Sequence, residues 1–150
     1  MENGLVSKMI DYNKLLKEGA IYVVKRILEY VASDGLSDKQ QLYVTFSLKH
    51  PDVKISQLLK ADYEDEMTFV LQYEFWDLIV DDFGFSVSLA FDHSDETLYV
   101  PFASLIAVSD PSEDFNLEFV PDLYTRRPKV QENKILTNKS NIISLDDFRK

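Results

Sequence analysis

The sequence predicts a mainly β fold: a small antiparallel barrel capped by an N-terminal α-helix, with a disordered C-terminal tail. Three observations carry that expectation. Apolar residues between Leu15 and Val31 recur at spacings of three and four, as on one side of a helix. From Leu42 to Phe91 the spacing switches to two, which belongs to half-buried strands. Beyond Phe119 neither period persists, and residues there have no continuous face to bury. At 150 residues the chain has room for one domain and a tail, divided here into a body over 1–119, a linker over 120–141 and a terminal segment over 142–150.

Taken in order, Asp11 supplies an N-cap for a helix whose apolar positions are Leu15, Leu16, Ala20, Val23, Val24, Ile27, Leu28 and Val31, and Gly35 supplies its stop. Tyr12, Gly19, Tyr22 and Tyr30 widen the apolar stripe. The stripe reads either as a broad core face or as a helix that packs on its own sheet with one side and on a second copy with the other. Gly19 costs about 1 kcal/mol relative to Ala in a helix interior, and close approach of another helix would be one compensation. Leu42, Val44, Phe46 and Leu48 then alternate with polar or aromatic neighbours, as do Met67, Phe69, Leu71 and Tyr73, and Phe85, Val87, Leu89 and Phe91. Ser56 to Tyr63 reads as a short helix between the first two of these strands. Leu98–Val100 and Ile106–Val108 read as two more short strands, with Asp92 to Asp95 as a hairpin turn and Pro101 at a strand end. A leading helix followed by a meander of about five strands closes into a bent sheet or barrel.

Charge narrows the function. Residues 1–119 hold 9 basic and 22 acidic side chains, whereas residues 120–150 hold 7 and 4. Between Lys60 and Arg126 there is no Lys or Arg at all. A phosphate-binding groove needs basic surface, so nucleic acid and membrane surface are disfavoured as partners. With no Cys, thiolate metal sites, disulfides and cysteine nucleophiles are excluded. The longest uninterrupted apolar stretch, Ala20 to Val24, is far short of a membrane span, and Met1 to Met9 lacks the layout of a signal peptide, which makes the cytosol the expected location.

Catalytic chemistry finds little support. Gly4, Gly19, Gly35 and Gly84 are isolated, so no phosphate-cradling loop can be written. His50 and His93 stand beside no nucleophile or second metal ligand and read as ordinary surface or turn histidines. Asp62, Glu64, Asp65 and Glu66, then Asp81 and Asp82, then Asp92, Asp95 and Glu96 fall at strand connections, where solvated acids are common; a divalent-cation site is the rival reading. Tyr73, Phe75 and Trp76 lie within four positions, beside Gln72. Trp76 suits the core, but aromatics flanking a strand edge, with an amide carrying donors and an acceptor, also suit a sheet that accepts an extended peptide.

Four segments are jointly distinctive: Glu66-Met-Thr-Phe-Val-Leu-Gln-Tyr-Glu-Phe-Trp-Asp-Leu78, Leu98-Tyr-Val-Pro-Phe-Ala-Ser-Leu-Ile-Ala107, Asp110-Pro-Ser with Phe115, Leu117 and Phe119, and Ile143-Ser-Leu-Asp-Asp-Phe-Arg-Lys150. Together they resemble SspB of the alphaproteobacterial type, the specificity-enhancing adaptor family of the ClpXP protease. The resemblance implies an Sm-like body that binds the ssrA degradation tag along Val70, Gln72, Tyr73, Phe75 and Trp76, facing Leu98, Val100 and Phe102. It implies a homodimer formed by the leading helix, through Leu16, Gly19, Ala20, Val23 and Ile27. It also implies a docking peptide, Ile143, Leu145, Phe148, Arg149 and Lys150, for the zinc-binding domain of the ClpX unfoldase; the zinc belongs to that partner, and the chain itself needs no cofactor. Such a protein is an adaptor and not an enzyme. The rival readings are a small-barrel scaffold whose tail serves self-association and, against the charge, an Sm-like RNA-binding protein.

Overall fold

Asp11 accepts a hydrogen bond from the Lys14 amide at 3.0 Å, satisfying one of the unpaired donors of a helix start, and α1 (Tyr12–Asp34) begins at the next residue. At the other end Gly35, at φ 79°, donates its N–H to the Val31 carbonyl, a backbone angle that glycine adopts without steric cost. The computed structural model describes residues 9–125 apart from His93; the histidine expected in the hairpin turn, and the linker and docking peptide beyond Thr125, lie outside the described residues. Only one side of α1 reaches the core, through Val24, Leu28 and Val31, with Ile21 and Ile27 half-buried beside them. Among the described residues no helix is long and apolar enough to cross a membrane.

Seven strands follow among the described residues. They are β1 (Leu42–Ser47), β2 (Glu66–Leu71), β3 (Phe75–Val80), β4 (Gly84–Phe91), β5 (Ser94–Pro101), β6 (Leu105–Asp110) and β7 (Phe115–Glu118). Between β1 and β2 lies α2 (Gln57–Asp62), capped by the Ser56 hydroxyl, which accepts from the Leu59 amide. The strands form two antiparallel sheets, in the order β2-β1-β6-β7 and β3-β4-β5. Alternation places Val44, Phe46, Met67, Phe69 and Leu71 from the first sheet against Phe85, Val87, Leu89, Leu98 and Val100 from the second. A row of rings crosses the interior: Phe46 to Phe69 at 5.9 Å, Phe69 to Phe85 at 6.3 Å, and Phe85 to Phe102 at 6.3 Å. Those four rings tie both sheets together.

Two strands escape the period-two reading. In β3 the register slips between Trp76 and Ile79, where Asp77 takes φ 53°, so the bulge breaks the alternation that would have revealed the strand. With four residues, β7 is too short to show a pattern. His50, expected as an ordinary surface or turn residue, sits in a turn but is only 2% exposed. Its Nδ1 accepts the Asp52 N–H at 3.0 Å, which leaves the proton on Nε2 to be donated to the Thr125 carbonyl at 2.9 Å. Residues 120–125, expected to open the linker, are likewise fastened to the body. Lys17 Nζ donates to the Val120 carbonyl, and the Asp122 amide to that of Ala103.

Gly84 opens β4 at a point where no side chain fits. A Cβ there would lie 2.3 Å from the Val100 carbonyl oxygen and 2.8 Å from Pro101 Cα, both backbone atoms of the adjacent β5. Gly84→Ala is therefore expected to destabilise the fold by about 1–3 kcal/mol through forced backbone shifts. Urea unfolding should show a lowered midpoint with an unchanged slope.

Candidate peptide-binding groove

β2 ends its sheet and pairs on one side only, with β1. The Leu48 amide donates to the Asp65 carbonyl at 2.8 Å, which makes 48/65 a hydrogen-bonded pair. Such pairs alternate along an antiparallel ladder, and the β1–β2 register then assigns Met67, Phe69 and Leu71 to bond β1. The N–H and C=O groups of Thr68 and Val70 point the other way, along the open edge. Unpaired edge groups of this kind are a template for another strand.

The opposite wall comes from the second sheet. β3 pairs with β4 only from Phe75, opposite Leu89, so Ala90 and Phe91 run past the end of β3 and leave that stretch of β4 uncovered. Between the two edges lies a cavity of about 420 Å³, bounded by Thr68, Val70 and Gln72 on one side and by Leu89, Ala90 and Phe91 on the other. Phe69 lines it as well, and is buried against Phe46 and Phe85. The Tyr73 ring, 73% exposed, and Glu74 stand at its rim. Among the described residues no Lys or Arg lines the groove. Its chemistry is that of an extended backbone slot with an apolar floor and the Gln72 amide for polar recognition.

Of the residues implied for tag binding, Val70, Gln72 and Tyr73 meet here. Phe75 is half-buried and packs on the core, and Trp76, read as suiting the core, is instead 40% exposed and lies outside the groove lining. Leu98 and Val100 are fully buried, and Phe102 nearly so. Alternation along β5 turns the first two inward, so these three side chains build the core and offer no surface at the groove. The facing wall that the sequence missed is Leu89–Phe91; it becomes visible only once β3 is known to stop short of Ala90. Among the described residues no group of three or more His, Asp or Glu converges as a metal site would require.

A second surface lies on α1. Leu16 is 71% exposed, and Tyr12, Leu15, Tyr22, Val23 and Tyr30 are exposed with it. A Cβ on Gly19 would meet nothing within 4 Å. Ala20 and Ile27 are half-buried at the border between this face and the core. The five residues implied for dimer contact thus share one stripe of the helix, with its outer part uncovered in the single chain.

The edge geometry has a direct test. Because the Val70 N–H points away from β1, Val70→Pro removes an edge donor and no ladder bond, a substitution edge strands tolerate. The variant should remain folded by circular dichroism and lose affinity for an extended peptide ligand by about 2- to 12-fold, the scale of one neutral hydrogen bond of about 0.5–1.5 kcal/mol.

The family model for SspB, stringent starvation protein B, matches residues 16–142 of the chain. No curated protein matches it.

Proposed function

This chain belongs to the SspB family of ClpXP adaptors, and we propose that it binds the ssrA degradation tag in the β2–β4 groove and tethers tagged substrates to the ClpX unfoldase. The observation that carries this reading is the open edge of β2 beside a ligand-sized apolar floor. The tag adds to β2 as an extended strand, its main chain meeting Thr68 and Val70 and one of its side chains meeting Gln72. With no cation lining the groove, affinity comes from backbone hydrogen bonds and apolar contact and depends weakly on salt.

The adaptor makes and breaks no bond. It raises the local concentration of substrate at the unfoldase. Residues 126–141 act as the tether in this reading; about 16 residues of flexible chain have a root-mean-square span of about 20 Å, and tethers of that length give effective concentrations on the order of millimolar. Ile143, Leu145 and Phe148, with Arg149 and Lys150, form the peptide that docks on the zinc-binding domain of ClpX. The uncovered stripe of α1 pairs with its copy in a homodimer, which presents two tails for bivalent docking.

Three measurements check the three parts. A pull-down with an ssrA-tagged reporter and its untagged twin should retain only the tagged form, and Gln72→Ala should weaken retention by about 0.5–1.5 kcal/mol with melting unchanged; equal retention of both reporters defeats the assignment. Leu145→Ala with Phe148→Ala should leave tag binding and thermal stability intact while degradation of the tagged reporter falls to the rate without adaptor. Leu16→Asp should halve the mass measured by sedimentation, because an unpaired carboxylate on a dry helix interface is strongly unfavourable.

A further inference from the structure

The chain leaves the described body near a run of three acidic residues. The Thr125 carbonyl is held by His50 Nε2 at 2.9 Å. Two residues before His50, the Leu48 amide binds the Asp65 carbonyl, and the Lys49 ammonium lies 3.8 Å from the Asp65 carboxylate. The run Glu64, Asp65 and Glu66 is therefore next to the exit. The exit is itself fixed: the Thr125 hydroxyl and the amides of Tyr124 and Thr125 bond the Asp122 carboxylate and hold it below the usual carboxylate range.

A second groove, with a volume of about 540 Å³, lies between α2 and the β4–β5 hairpin and has Tyr63, the residue before that run, in its lining. Its lining mixes the apolar side chains of Leu58, Leu59, Tyr63, Ala90 and Phe91 with Ser94 and the carboxylates of Asp62, Asp92 and Glu96. Among the described residues neither Lys nor Arg lines it; Lys60 of α2 is exposed outside that lining. Leu58 is 59% exposed in the single chain. The occupant this groove suits is a short segment that combines aliphatic side chains with positive charge.

Such a segment follows Thr125 directly. Residues 126–139 contain Arg126, Arg127, Lys129, Lys134 and Lys139 against Glu132 alone, and place Ile135-Leu136 next to Lys134. The terminal segment 142–150 is a poorer match, since Arg149 and Lys150 are offset by Asp146 and Asp147. Reach is sufficient: ten residues of extended chain span about 33 Å, more than twice the radius of gyration of about 13 Å expected for a body of this size. We propose that residues 126–139 dock reversibly on their own body, with Ile135 and Leu136 over Leu58, Leu59 and Phe91, and Lys134 and Lys139 against Asp62, Asp92 and Glu96. Docking shortens the tether and is electrostatic at its rim, so salt releases it. The inference goes beyond the adaptor reading and does not depend on it.

Because the chain has no Cys, Thr137→Cys in the full-length protein accepts a single nitroxide. At about 0.02 M salt the amide signals of residues 58–63 and 94–96 should lose more than about half their intensity, and at about 0.5 M they should recover. Asp62→Asn with Glu96→Gln, and separately Ile135→Asp in the tail, should restore them at low salt. Attenuation that is uniform over the surface, centred elsewhere, or indifferent to salt and to these variants overturns the proposal. So does attenuation seen only when isotope-labelled and spin-labelled copies are mixed, which places a second copy's tail in the groove.

Discussion

The contact between Phe69 and Phe85 is the constraint on which the rest depends. No ladder joins the two sheets among the described residues; they are held by side-chain packing, and the Phe46, Phe69, Phe85 and Phe102 rings form its continuous thread. Edge and tilted ring pairs of this kind add about 0.5–1.5 kcal/mol each beyond the burial of their area. Phe69 belongs to both core and site, for the same ring lines the groove. A ligand placed there rests on a ring that is buried against Phe46 and Phe85.

Openness of that edge follows from how the second sheet ends. Were β3 to begin two residues earlier, it would cover Ala90 and Phe91 and close the slot. Instead Gln72 to Glu74 form a bend that carries the chain from one sheet to the other, and this crossing leaves the gap. Edge strands commonly protect themselves with charge or proline. Here the neighbouring residues are Glu66, Thr68, Val70 and Gln72, with a single charge at the far end and no proline.

Much of the fold was legible in local chemistry. Asp11, Gly35 and Ser56 mark helix ends through bonds their own residues make, and period two reveals β1, β2 and β4 because each buries one face. β3 was hidden by a left-handed residue at Asp77, which shifts register midway. The site was legible on one wall only. Gln72 and Tyr73 announce themselves as polar and aromatic residues at a strand end, whereas Leu89 to Phe91 gain their role from where a different strand stops. Leu98 and Val100 show the converse: their alternation along β5 already marks them as a core face, and a groove position asks of them an exposure that period two denies. His50 gave no signal, since its burial depends on Thr125, which lies 75 residues away in the chain.

Charge separates the two grooves. In the β2–β4 slot the available partners are backbone dipoles and apolar rings, whose interactions are short in range and nearly blind to ionic strength. Around Asp62, Asp92 and Glu96 the partner is a field, and in the proposed docking it acts on the basic segment that follows Thr125 in sequence. An adaptor needs a grip that holds its ligand in any ionic surroundings and a tether that can be let go. Between residues 61 and 125 the chain has no Lys or Arg: the described lining of the slot carries no cation, and the described rim of the second groove carries carboxylates, with Lys60 of α2 exposed outside it.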